Sequence, residues 1–231
     1  DGKLILPQGL IQGQKLNFIL KSLTLPVATI DDFDKLAIPY RAVATNIEAG
    51  EAVILKSGNL ANAMRASMSV PGVFSPIRIE GKLLVDGGIA DNLPIDVAKA
   101  LGAEVIIAVD VGTPPLTGDK INTLLDITDQ MTRLFGYENV KTQIKTLKPS
   151  EVLIRPVLGD FSSSDFTRAK EGIAIGEQAA TQMKTALQTL SRPATEYQTY
   201  LTARQTRSVH QPINIDFIRI INNSRLSEEV I

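Results

Sequence analysis

The sequence predicts an α/β protein with a mostly parallel central sheet. Residues 105–111 (VIIAVDV) are short and almost wholly apolar, as is typical of a strand buried on both faces of such a sheet. Before them, a segment that starts at Pro94 carries apolar residues on one helical face as far as Leu101. With a strand predicted at 83–85, this gives the strand-helix-strand unit that joins parallel strands.

The other predicted elements follow from periodicity, caps and turns. Asn59 is placed to cap a short helix that stops before Pro71, and residues 48–50 and 80–82 form turns. We expect strands at 38–47, 52–55, 77–79 and 152–157, and helices within 121–146 and 166–190. The apolar segment 4–20 fits either a core helix or part of an acyl-chain wall.

Composition excludes several classes of function. The chain has 231 residues, is 44% hydrophobic, and balances 24 basic against 25 acidic residues, so nucleic acid is not an expected partner. It contains no cysteine, which excludes disulfides and thiolate metal sites. It starts with Asp1 rather than Met, so we expect the full-length protein to have a preceding N-terminal segment.

One stretch, residues 65–94, combines several motifs in register. A lone Asp-Gly-Gly is common turn chemistry, but here it follows R-x-S-x-S-x-P-x-x-F and precedes an Asn and a Pro at fixed spacing. The motif residues are Arg65, Ser67, Ser69, Pro71, Phe74, Asp86, Gly87, Gly88, Asn92 and Pro94. This combination resembles the patatin-like phospholipases, and the resemblance covers about residues 1–190.

The resemblance implies a three-layer sandwich and a lipid acyl hydrolase of the phospholipase A type. Asp86 would act as the base that takes a proton directly from a nucleophilic serine, without a histidine. Gly87 and Gly88 would let the backbone turn tightly, with Asn92 and Pro94 as supporting motif residues. Three further motif residues have alternatives that stay open: Ser67 and Ser69 satisfying backbone groups, and Arg65 supporting the loops or lying on the surface.

The G-x-S-x-G elbow that would carry the serine is absent from the sequence. We therefore expect the chain to lack the N-terminal strand-elbow-helix portion of the fold, and to be inactive alone. His210 is the only histidine, and we do not expect it to complete a triad. No cofactor fingerprint is present, and the acidic residues Asp31, Asp32 and Asp34 fit a solvated loop better than a metal site.

Three regions are predicted: residues 1–190 as the C-terminal part of the hydrolase domain, 191–212 as a helical linker, and 213–231 as the start of a further domain. That last region resembles the first strand and helix of a POTRA domain, as found in bacterial patatins fused to an outer-membrane barrel. A plain terminal strand and helix is the competing interpretation. The POTRA resemblance implies the bacterial cell envelope, either outer membrane or secreted, with a cytoplasmic location as the alternative.

The expected partners are a phospholipid or other acyl-ester substrate, a membrane surface, and the missing N-terminal segment of the same protein. A second copy of the chain in a homodimer is a further candidate. The alternative function is a non-catalytic passenger or polypeptide-binding assembly module, for which the alternating segment from Ile213 would offer a docking strand.

Overall fold

The computed structural model describes residues 9–11, 13–159, 161 and 165–208. The helices are α1 (Gln14–Thr24), α2 (Leu60–Ser67), α3 (Ile95–Ala100), α4 (Leu124–Ile144), α5 (Ala169–Gln182), α6 (Lys184–Gln188) and α7 (Ala194–Ser208). The strands are β1 (Gly9–Ile11), β2 (Ala42–Asn46), β3 (Glu51–Leu55), β4 (Gly72–Phe74), β5 (Ile77–Ile79), β6 (Lys82–Asp86), β7 (Ile107–Val109) and β8 (Val152–Ile154).

Four strands form a sheet in the order β3-β2-β6-β5, and every neighbouring pair in it is antiparallel. Two of the pairs are hairpins whose loops are too short for any other direction. Glu80 and Gly81, both with positive φ, form the β5–β6 turn, and Gly50 does the same between β2 and β3. This sheet carries the end of β6, where the candidate site lies.

Two further pairs, β1–β4 and β7–β8, are parallel because long crossovers join their strands. Mixed helices and strands confirm the α/β class. Strand direction differs from the expectation of a mostly parallel sheet: the parallel pairs are short, and the larger sheet is antiparallel. The cause is local, because the two tight turns at 47–50 and 80–81 force the strands that they join to run antiparallel.

The core has two main parts. In the first, Phe33, Ala44 and Leu84 are fully buried, and helix α2 packs its alanines against the antiparallel sheet. In the second, helices α3 and α4 cover one face of β7, where Ala108 is buried with Ile95. Helices α5 and α6 pack on β8 through a third, smaller cluster that includes Ala179.

Several local expectations need correction. The strand predicted at 105–111 is only three residues long, and its Ile107 and Val109 are 50% and 46% exposed, so it is covered on one face rather than two. Alternation along the strand explains this, since only Ala108 points toward α3 and α4. The tract 166–190 is interrupted at Met183, which divides α5 from α6.

The helix predicted within 121–146 is confirmed as α4, and a capping box on Thr123 and Asp126 starts it. Residues 213–231 lie outside the described part of the chain, so the domain boundaries stay predictions. Of the helices that the structure describes, none has the length and apolarity needed to cross a membrane.

Candidate active site

Asp86 is the last residue of β6, and two contacts fix its backbone. Its N–H donates to the carbonyl of Ser69 at 3.0 Å, and its carbonyl accepts from the hydroxyl of Thr45 at 2.8 Å. Ser69 and Thr45 are both fully buried. The carboxylate therefore leaves the sheet at a defined point, the C-terminal end of a strand, as predicted.

The Asp-Gly-Gly turn holds this carboxylate. Asp86 Oδ1 accepts a hydrogen bond of 2.8 Å from the backbone N–H of Gly88, and residues 87–89 form one turn of 3-10 helix. Glycine is needed for space here: a Cβ on Gly87 would lie 2.3 Å from the carbonyl oxygen of Val43, and one on Gly88 would lie 2.8 Å from Asn92 Oδ1. A side chain at Gly87 would open the turn, and one at Gly88 would displace the Asn92 side chain.

Burial raises the pKa of Asp86, and the hydrogen bond from the Gly88 N–H lowers it by a smaller amount. The net direction is upward because partial removal from water disfavours the charged form. A carboxylate with a raised pKa is a better proton acceptor than an exposed one. The site thus combines a fixed position with enhanced basicity.

Asp86 opens onto a cavity of about 520 Å³. Its walls are the turn, helix α4 and the segments that follow β7 and β8. Two ion pairs lie within the wall, Arg155 with Asp110 at 3.1 Å and Arg133 with Asp129 at 2.8 Å, and a third wall cation, Lys141, pairs with Glu138 at 3.0 Å. With these charges balanced, the cavity offers space for a substrate next to Asp86.

Arg65 is not a surface residue: only 4% of it is exposed. Its guanidinium donates to the hydroxyl of Ser69 and, at 3.1 Å, to the carbonyl of Ser75, and it lies 4.9 Å from the centre of the Phe74 ring. Burial lowers the pKa of this group. A Cβ on Gly13 would lie 2.5 Å from the guanidinium, so Arg65 also sets how closely the start of α1 approaches. Arg65 therefore has a structural role in the protein interior.

The serines of the motif are not among the residues that line the cavity. Ser69 has no exposed surface, and its hydroxyl donates to the carbonyl of Arg65 at 2.7 Å. Ser67 is half-buried at the end of α2. Asn92 lines the cavity, and Pro94 precedes the first residue of α3. The structure therefore favours the backbone-satisfying interpretation for Ser69.

Sequence reasoning missed the part of α4 that touches the turn. The Asn139 side chain donates to the carbonyl of Ala90 at 3.1 Å and accepts from the N–H of Asn92 at 3.2 Å. One turn earlier, a Cβ on Gly136 would lie 2.9 Å from the carbonyl oxygen of Gly88. Nothing in the spacing of residues 121–146 points to either contact, because they join segments more than forty positions apart.

Asp91 was also missed. It is 9% exposed, its Oδ1 has no hydrogen-bond partner among the described residues, and burial, with the nearby charge of Asp96, raises its pKa to about 6. His210 lies outside the described residues. Asp34, from the acidic cluster, pairs with Arg41 at 2.8 Å, and no set of three or more metal-ligating side chains gathers anywhere in the described ranges.

Comparison with known proteins gives a family match for part of the sequence. Residues 4–99 match the family of patatin-like phospholipases. An uncharacterized NTE family protein of Mycobacterium tuberculosis is 39% identical over 103 residues, which are 45% of this chain and 28% of that protein.

Longer alignments are found with two eukaryotic proteins. Mouse patatin-like phospholipase domain-containing protein 7 is 32% identical over 170 residues, 63% of this chain and 12% of that protein. The lysophospholipase nte1 of Aspergillus niger is 33% identical over 183 residues, 67% of this chain and 12% of that protein. The chain thus spans less than a third of each of these relatives. Residues 4–99 therefore match a patatin-like phospholipase domain, and the relatives of the chain include NTE family proteins.

Proposed function

We propose that the full-length protein hydrolyses ester bonds of phospholipids or related acyl esters, with Asp86 as the base of a Ser/Asp dyad. The observation that carries the proposal is the position of Asp86, fixed at a strand end and facing a cavity of about 520 Å³. The serine would come from a part of the protein outside these 231 residues, since no G-x-S-x-G occurs among them.

In this mechanism Asp86 takes the proton of the serine hydroxyl as the hydroxyl attacks the ester carbonyl. The protonated Asp86 then gives that proton to the leaving alcohol, and an acyl-enzyme forms. A water molecule, deprotonated by Asp86 in turn, attacks the acyl-enzyme, and Asp86 returns the proton to the serine oxygen as the fatty acid is released. The Gly88 N–H steadies the carboxylate through these steps while the cavity holds the substrate.

The substrate class rests on the family match of residues 4–99 and on the name of one relative, the Aspergillus lysophospholipase. We also propose that residues 213–231 begin a POTRA domain. The protein would then reside in the bacterial envelope. Protease accessibility of the full-length protein on intact cells tests that part separately, and protection until the cells are lysed would contradict it.

The test of the dyad is a pair of substitutions in the full-length protein, assayed on a short-chain ester. Asp86→Asn should lower kcat/KM by about 10³-fold or more, while His210→Ala stays near wild type. Because the base must be ionised, activity should fall as the pH drops through the pKa of Asp86, at a midpoint above the ordinary aspartate value of 3.8. A His210 variant as inactive as the Asp86 variant would show that the dyad assignment is wrong.

A further inference from the structure

Helix α4 contacts the Asp-Gly-Gly turn at two positions one helical turn apart. Gly136 lies against the carbonyl of Gly88, with no room for a methyl group between them. Asn139 forms two hydrogen bonds to the residues just after the turn, at 3.1 Å to the Ala90 carbonyl and 3.2 Å from the Asn92 N–H. Gly136 and Asn139 themselves lie beyond residues 4–99, the segment that matches the family.

The two hydrogen bonds use the Asn139 amide in one orientation only, with its oxygen toward an N–H and its nitrogen toward a carbonyl. The turn also depends on its own bonds, since the N–H groups of Ala90 and Asp91 donate to the Gly87 carbonyl at 3.0 and 2.8 Å. A shift of residues 90–92 would therefore also move residues 87–88. The N–H of Gly88 would then lose its alignment with the Asp86 carboxylate.

We propose that Asn139 is a positioning residue for the reaction, which fixes the turn so that the Gly88 N–H stays directed at Asp86. This rests on the proposed role of Asp86 as the base. Asn139 does not touch the reacting atoms; it acts through the turn. Gly136 serves the same purpose by letting α4 approach closely enough for the two hydrogen bonds to form.

A matched control stands one turn further along the same helix. Gln143 accepts a hydrogen bond of 3.2 Å from the backbone N–H of Asp96 in α3, so it ties α4 to the next element without touching the turn. Asn139→Ala and Gln143→Ala each remove an amide from α4 and insert the best helix former. Loss of general helix packing should affect both alike, whereas loss of positioning should affect only Asn139→Ala.

The first measurement is the pH titration of the Gly88 backbone amide by NMR on this chain, which reports ionisation of Asp86 through their hydrogen bond. In Asn139→Ala the midpoint should move upward, because the N–H that favours the carboxylate is weakened. In Gln143→Ala it should match wild type. Gly136→Ala, which pushes α4 from the other contact, should repeat the upward shift, and it replaces Asn139→Ala if that variant does not fold.

The second measurement is ester hydrolysis by the full-length protein. Asn139→Ala should lower kcat about tenfold, change KM less, and move the acidic limb of the pH profile upward. Equal behaviour of Asn139→Ala and Gln143→Ala in both measurements would overturn the proposal. If Asp86→Asn kept full activity, the proposed function would fail instead, and the Gly88 titration would still decide whether Asn139 positions the turn.

Discussion

The backbone N–H of Asp86 donates to the carbonyl of Ser69, so the two halves of the sequence motif meet in one hydrogen bond of 3.0 Å. The hydroxyl of Ser69 in turn accepts from Arg65, which packs on Phe74. A continuous set of buried contacts therefore runs from the start of the motif to the carboxylate. The residues that separate Ser69 from Asp86 in the sequence form β4, β5 and the preceding part of β6.

The first prediction concerns Ser69. Ser69→Ala leaves a buried guanidinium N–H of Arg65 without its acceptor, which costs about 1–3 kcal/mol of unfolding free energy. The half-buried Ser67 is the matched control two residues earlier, and Ser67→Ala should change stability by less than about 0.5 kcal/mol. Urea unfolding of the two variants measures both values. Equal stability of the two would contradict the buried-network description.

A second prediction follows from the packing of the turn. Gly87→Ala places a methyl group 2.3 Å from the Val43 carbonyl oxygen, and since that oxygen belongs to the backbone the clash cannot be relieved by a rotamer change. We expect a loss of about 3 kcal/mol, near the upper end for overpacked sites. Gly118→Ala is the control, because a Cβ at Gly118 meets nothing within 4 Å. Thermal unfolding of both variants distinguishes a specific clash from a general cost of removing glycine.

The sequence predicted the elements better than their arrangement. The Asn59 cap, the two hairpins and α4 could all be located because their signals are local: a capping side chain, a turn and an apolar period. The direction of the larger sheet does not follow from the short apolar segment that includes Ile107, because that segment pairs in parallel with β8 outside this sheet.

The site was predictable only in part, for the same physical reason. Asp86 and its glycines are adjacent in sequence, so their turn chemistry is visible there. Asn139 and Gly136 reach the turn through tertiary packing of α4, and a lone asparagine or glycine in a helix gives no sign of its partner. The buried Arg65 was ambiguous because burial of a charge depends on groups such as Ser75 and Phe74 that fold around it.

The third prediction concerns stability against pH and rests on Asp91. Its pKa is about 6 in the folded chain and near 3.8 when unfolded, so the folded state binds the proton more tightly. This contribution to stability is fully present below the unfolded value and is lost as the pH rises through about 6.

Asp91→Asn removes this dependence. Between pH 5 and pH 7 the wild type should lose on the order of 1 kcal/mol more than the variant, which is less than the full shift would give because part of the titration falls below pH 5. Urea unfolding at both pH values gives the comparison. Parallel losses in the two proteins would mean that Asp91 is not the group responsible.

The last prediction is that this 231-residue chain, by itself, shows no esterase activity and no labelling by a serine-directed fluorophosphonate. Such labelling needs a hydroxyl with its proton acceptor and oxyanion donors in place. Ser69 has no exposed surface and its hydroxyl donates to the Arg65 carbonyl, and Ser67 is half-buried at the end of α2. Mass spectrometry of the treated chain should show only the unmodified mass of 25.0 kDa. Stoichiometric labelling, mapped to either serine by peptide analysis, would show that the nucleophile lies within this chain.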